Sequence, residues 1–233
     1  MRRSTFLLAL PAAATGLLLF GAPAHAQSLT TFASVDTIGQ VFTFINSGAS
    51  STLSLTSASI PVTFRYKVEN GYGGINADIP AMMTLTSNVT GAAGGFIQQM
   101  NNISLTITAN TPVNGRTNLL SMGATGRLNA IEDGSDIASF GGNTRNTYTV
   151  GFSSDFLNFA NTTDRSFNFA FNSLTPQASV NGNGYLNTFN SSGLGNFASN
   201  PAPQSTVPEP SALGLLGLVG APALLTLRRR GQR

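Results

Sequence analysis

Ile60-Pro61-Val62-Thr63-Phe64-Arg65-Tyr66-Lys67-Val68-Glu69 places an apolar side chain at every even position and Pro, Thr, Arg, Lys or Glu at every odd one. Successive side chains of a strand point to opposite faces, so this alternation predicts a ten-residue strand with one buried and one wet face. The same period runs outward in both directions. Ile103, Leu105 and Ile107 alternate with Asn102, Ser104, Thr106 and Thr108; Tyr148, Val150 and Phe152 with Thr147, Thr149 and Gly151; and Phe167, Phe169 and Phe171 with Ser166, Asn168, Ala170 and Asn172. Further strands are expected at Val41 to Ile45, Thr52 to Thr56, Met82 to Thr86 and around Thr188. Most of the 16 Phe residues and the strand tyrosines then belong to the core.

Between these runs lie Asn46-Ser47-Gly48, Asn70-Gly71-Tyr72-Gly73-Gly74, Gly91-Ala92-Ala93-Gly94-Gly95, Asn114-Gly115, Gly141-Gly142-Asn143 and Asn181-Gly182-Asn183-Gly184. Gly and Asn tolerate positive φ, so each reads as a turn. Short strands, regular turns and one-sided patterning point to an all-β chain. The expected architecture is an antiparallel β-sandwich of jelly-roll or Greek-key type rather than a closed barrel. An outer-membrane barrel would need more strands of about 9–11 residues and aromatic girdles facing lipid. Residues 27–189 are read as the sandwich domain and 190–207, rich in Asn, Ser, Gly and Pro, as a linker.

The two ends read differently. Residues 1–26 carry Arg2 and Arg3, an apolar run from Phe6 to Phe20, and Ala24-His25-Ala26, the small-x-small pattern before a cleavage at Gln27. This is a secretory signal peptide with its own helix, and it implies the general secretion machinery and a signal peptidase as partners. Ser4 and Thr5 separate the arginine pair from Phe6, one residue more than a twin-arginine signal normally allows. At the other end, 208–233 divide into Pro208-Glu209-Pro210, an apolar segment 211–227 and an Arg cluster 228–233 containing Arg228, Arg229 and Arg230. A helix over 211–227 would reach only about 25 Å, short for a permanent span. The basic cluster acts as a stop-transfer signal that stays cytoplasmic and leaves the middle of the chain outside the inner membrane.

Pro208, Glu209 and Pro210, followed by the short apolar run and terminal arginines, resemble the sorting tail of the PEP-CTERM proteins. The resemblance covers residues 208–233 alone. It implies recognition by exosortase, a membrane-embedded cysteine transpeptidase-like protease of Gram-negative envelopes whose loci often accompany exopolysaccharide genes. On that reading the inner membrane is a transient station, and the destination is the cell surface or the extracellular matrix.

Composition limits the chemistry. The chain has no Cys, no Trp and one His, and charged residues make up only 9%, against about 25% in ordinary soluble proteins. His25 leaves with the signal, so neither a thiolate or imidazole metal site nor a histidine or cysteine catalytic centre is available to the exported part. Between 27 and 207, Arg65, Lys67, Arg116, Arg127, Arg145 and Arg165 face Asp36, Glu69, Asp78, Glu132, Asp133, Asp136, Asp155 and Asp164, a net charge of −2. The high pI thus comes from the sorting ends, and no basic cluster offers itself to nucleic acid.

What remains is weighed against a plain scaffold. A carboxylate pair could serve a glycosidase, although acids on turns are ordinarily solvated. Lys67, the only Lys, sits on the polar strand face beside Arg65 and Glu69, away from any serine-lysine dyad. Glu132, Asp133 and Asp136 around Gly134 form an oxygen-rich turn that could take Ca²⁺, the one cofactor the sequence suggests; without an EF-hand spacing, a bare acidic turn is the better explanation and no cofactor is expected. Outward Thr, Ser and Asn could bind carbohydrate. Ice binding would favour a long Thr-x-Thr repeat, and only short stretches such as Thr106-Ile107-Thr108 occur. The expected function is a non-enzymatic surface protein with a structural or adhesive role tied to exopolysaccharide or biofilm; a lectin-like carbohydrate-binding module is the alternative.

Overall fold

Strand pairing follows the chain from neighbour to neighbour and then returns to its start. The structure is a computed structural model that describes residues 28–46, 51–55, 59–67, 78–89 and 94–206. The strands are β1 (Thr30–Thr37), β2 (Phe42–Asn46), β3 (Ser51–Leu55), β4 (Ile60–Tyr66), β5 (Ile79–Val89), β6 (Ile97–Val113) and β7 (Arg116–Ala130). After them come β8 (Ala138–Asn143), β9 (Val150–Ser153), β10 (Leu157–Asn158), β11 (Asp164–Thr175), β12 (Phe189–Asn200) and β13 (Gln204–Ser205). The signal residues Ala24, Ala26 and Gln27, the tripeptide Pro208-Glu209-Pro210, the apolar segment 211–227 and Arg228, Arg229 and Arg230 lie outside the described residues. Among the described residues no helix is long and apolar enough to cross a membrane.

All strand pairs are antiparallel, as expected, but the sandwich is not formed. β1 pairs β4, β4 pairs β5, and the series continues through β6, β7, β8, β11 and β12, which pairs back onto β1. The result is a closed eight-stranded up-and-down barrel. β2 and β3 prolong β1 and β4 and complete the wall between β12 and β5; β9 prolongs β8 along β7. Alternation at period two looks the same in a sandwich and a barrel. Closure rests on the register Thr30↔Ser199 to Asp36↔Leu194 between first and last long strands, which residue pattern alone does not encode.

Eight strands enclose a space that side chains can just fill. Here Phe rings fill it. Phe32 meets Phe152 at 5.3 Å and Phe159 at 5.2 Å, Phe152 meets Phe197, and Phe197 meets Phe169 at 5.9 Å. The series continues through Phe140 and Phe42 to Phe171, and Phe44 stacks on Phe189 at 5.3 Å. Each fully buried Phe is worth about 1.5–3 kcal/mol, and edge or offset ring pairs add roughly 0.5–1.5 kcal/mol. Apolar inside and polar outside is the reverse of a lipid-facing barrel; among the described residues the exposed large hydrophobics are Ile38, Ile45, Ile97, Ile131, Ile137 and Leu194.

The segment read as a linker is therefore a wall strand. β12 pairs β1 and β11 along most of its length, and its inward positions include Ser191, Gly193, Gly195 and Ser199. Small residues are needed there: a Cβ on Gly195 would lie 2.6 Å from both Phe169 and Val35, and one on Gly193 2.8 Å from Phe171. Low apolar content on β12 is the space that the rings of its neighbours occupy. Gly141-Gly142 is likewise not a turn but part of β8, where a Cβ on Gly142 would strike the Thr125 carbonyl and the Phe167 ring. Asn114-Gly115 does turn the chain between β6 and β7, with φ of 52° and 75°.

Both ends of the barrel are covered. At the end where β1 begins, Phe156, Leu157 and Phe159 are buried, and β10 pairs β13 beneath them. Arg116 donates to the Asp155 carbonyl at 2.6 Å and to Thr206 Oγ1 at 2.8 Å, while the Asp155 carboxylate accepts the N–H groups of Thr117 and Asn118. Tyr66, 1% exposed, donates its hydroxyl to the Leu119 carbonyl at 2.7 Å; burial pushes its pKa well above the usual phenol range. At the opposite end, Ala178 and Leu186 close the core. An even number of strands brings residues 28 and 206 to the same end.

Candidate functional site

With Phe rings packed in the interior, most polar side chains of the strands stand on the outer wall. There β7, β8 and β11 align Arg127, Gly141 and Asn168 in one row, with Gln99 of β6 beyond Arg127. Neighbouring strands are about 4.8 Å apart, so a glycine between two long side chains leaves a gap roughly 10 Å across from Arg127 to Asn168. Ser139 occupies the next row outward on one side, and Asn143 opposite Ser166 on the other. The gap is a groove of about 200 Å³ lined by Arg127, Ser139, Gly141, Asn143, Ser166 and Asn168 together with Asn146 and Tyr148.

Asn146 and Tyr148 come from residues 144–149, which join β8 to β9. The expected strand at Tyr148 starts two residues later, at Val150, and Tyr148 stands half-buried at the groove instead of in the core. Hydrogen bonds fix this connection. Asn143 Oδ1 accepts from Arg145 N–H at 2.8 Å, Thr144 N–H donates to the Arg165 carbonyl, and Thr149 N–H donates to Thr125 Oγ1. Arg145 is also paired with Asp164 at 3.0 Å. Tyr148 is tied to the opposite edge through Gln99 Oε1 at 3.4 Å.

Among the described residues the other arginines are engaged: Arg65 with Asp78, Arg116 with Asp155 and Thr206, Arg145 with Asp164, and Arg165 with Thr162 and the Phe159 carbonyl. Arg65 and Asp78 stabilise each other's charged forms, raising the first pKa and lowering the second. Arg127, exposed at the groove, makes no hydrogen bond or ion pair with any described residue. The side-chain polar atoms of Ser139, Ser166 and Asn168 likewise make no hydrogen bond with any described residue. The lining has no carboxylate, imidazole, thiol or amine. It can hydrogen-bond a neutral polar molecule and neutralise an anion.

The sites expected from sequence are dispersed. Glu132, Asp133 and Asp136 are all exposed on the turn between β7 and β8, and among the described residues no three His, Cys, Asp or Glu side chains group as a metal site. That turn is bound to the end of β11 and the segment after it: Gly134 N–H donates to the Ala178 carbonyl, Ala178 N–H to the Ser135 carbonyl and Leu174 N–H to the Asp136 carbonyl, all within 3.0 Å. Its backbone oxygens serve the barrel's end. Lys67 is half-buried beyond β4, with its backbone N–H on the Phe32 carbonyl at 2.9 Å; Glu69 lies outside the described residues. The outward hydroxyls do align, in the rows Thr84–Thr106–Ser121–Ser153 and Thr86–Ser104–Gly123–Gly151 across β5, β6, β7 and β9.

Sequence reading missed the groove because Arg127 entered it only as one charge among several. The available signal was Arg127 on a wet strand position together with an unusual Gly pair at 141 and 142. Compared with known proteins, the chain matches no family model, and no curated protein or solved structure is significantly similar to it.

Proposed function

We propose that this chain is an exported, non-enzymatic surface protein: a rigid barrel carried out by its signal peptide, held through the tail that resembles a PEP-CTERM segment, and processed by exosortase. Its role is structural or adhesive within the extracellular polysaccharide of a Gram-negative envelope. The observation that carries this reading is the outer wall itself. Four-strand rows of Thr, Ser and Gly, with amide-bearing positions beside them and few charges, form a hydrogen-bonding surface suited to polyhydroxylated chains. Such a surface gains little from any single contact and much from repetition along a polymer.

The placement of the termini supports the same reading. Residues 28 and 206 lie at one end of the barrel, so a tail beyond 206 would tether that end and leave the wall and the far end open to the matrix. The polysaccharide secreted by the producing cells is the probe. Purified full chain should co-sediment with it and be released when the polymer is depolymerised. Protein that stays in the supernatant at every polymer concentration contradicts the matrix role.

A further inference from the structure

We infer that the groove at Arg127 is a subsite for one carboxylate-bearing sugar unit of a polysaccharide, a reading that rests on the matrix role proposed above and specifies its ligand. A guanidinium exposed in an otherwise uncharged groove is the unusual element. Every other described arginine has a partner within the barrel, whereas Arg127 faces the space over Gly141 with none. A planar guanidinium matches a carboxylate through two parallel hydrogen bonds, a geometry that lysine or an amide does not reproduce.

The rest of the groove suits the sugar that bears the acid. Ser139, Ser166 and Asn168 supply donors and acceptors on the floor and far edge, and Tyr148 adds an aromatic wall with an apolar body. Gly141 is required for the depth: a Cβ there would come 2.7 Å from the Phe167 carbonyl and 3.2 Å from Asn168 Oδ1. The volume of about 200 Å³ is smaller than the usual small-molecule pocket, which suits one unit of a longer chain, and the groove is open to the wall, so the polymer can continue past it. The fixed connection at 144–149 holds Tyr148 and Asn146 in place before any ligand arrives, which lowers the ordering cost of binding.

The test is calorimetric titration of the purified full chain with a trimer of galacturonic acid, with maltotriose as the uncharged control. The parent should bind the acidic trimer in preference to the neutral one, with affinity falling as salt is raised. Arg127→Gln should weaken the acidic trimer on the order of 10-fold or more and leave maltotriose unchanged. Arg65→Gln, on the same barrel but outside the groove, should leave both unchanged, and Tyr148→Ala should weaken the acidic trimer while preserving the charge preference. Equal binding of the acidic trimer by parent and Arg127→Gln, or no heat from the parent at roughly 10 mM trimer, overturns the subsite. Either result with co-sedimentation on the native polysaccharide intact would refute the subsite alone; loss of co-sedimentation would refute the matrix role itself.

Discussion

Glycine is the residue that separates this barrel from a generic strand protein. Gly142 points inward against the Thr125 carbonyl and the Phe167 ring, while Gly123 points outward with nothing within 4 Å of its missing Cβ. Gly142→Ala should destabilise by about 1–3 kcal/mol through overpacking, and Gly123→Ala should stay within about 0.5 kcal/mol of the parent; urea unfolding of the two variants makes the comparison. Tyr66 gives a second residue-scale prediction. Its pKa is raised by burial, so the folded state keeps a proton that the unfolded chain loses near pH 10. The stabilisation is complete below that pH and is lost as pH rises towards the folded value. Tyr66→Phe should flatten this alkaline fall while costing about 1 kcal/mol at neutral pH, because the Leu119 carbonyl loses its donor. Denaturant midpoints between pH 7 and about 11 read both effects.

At the scale of elements, the decisive strand is the one whose composition conceals it. β12 presents Ser191, Gly193, Gly195 and Ser199 inward, and the two glycines are required by Phe42, Phe169, Phe171 and Val35 on the neighbouring strands. Deleting residues 190–206 should therefore abolish the cooperative thermal transition, because β1 and β11 would lose their shared neighbour. Removal of a true linker would leave the melting temperature unchanged, so circular dichroism melts distinguish the two. The strands around Phe64, Leu105 and Phe169 were legible because large apolar side chains alternate with polar ones there, and the Asn114-Gly115 hairpin because its residues suit positive φ. β12 and Gly142 were not, since a core position filled by hydrogen carries no hydrophobic signal. The groove was hidden for a related reason: it is made by the absence of a side chain between Arg127 and Asn168, two residues 41 positions apart that meet only once β7, β8 and β11 pair.

For the whole molecule, closure explains how so small a charge content is tolerated. A barrel without open edges does not need edge charges to prevent strand addition, and both ends are covered by the chain's own segments. The aromatic spine packs the middle of the barrel, so the proposed function rests on the wall and on the two ends of the sequence. On the proposed function, the signal and the tail are removed in turn and the barrel is delivered outside. Intact mass of the protein recovered from native cell-surface and medium fractions tests it most directly. The predicted mass corresponds to Gln27 through about Pro210, with or without an added group. A stable membrane-bound species that still carries residues 211–233 would contradict exosortase processing and make the tail a plain anchor.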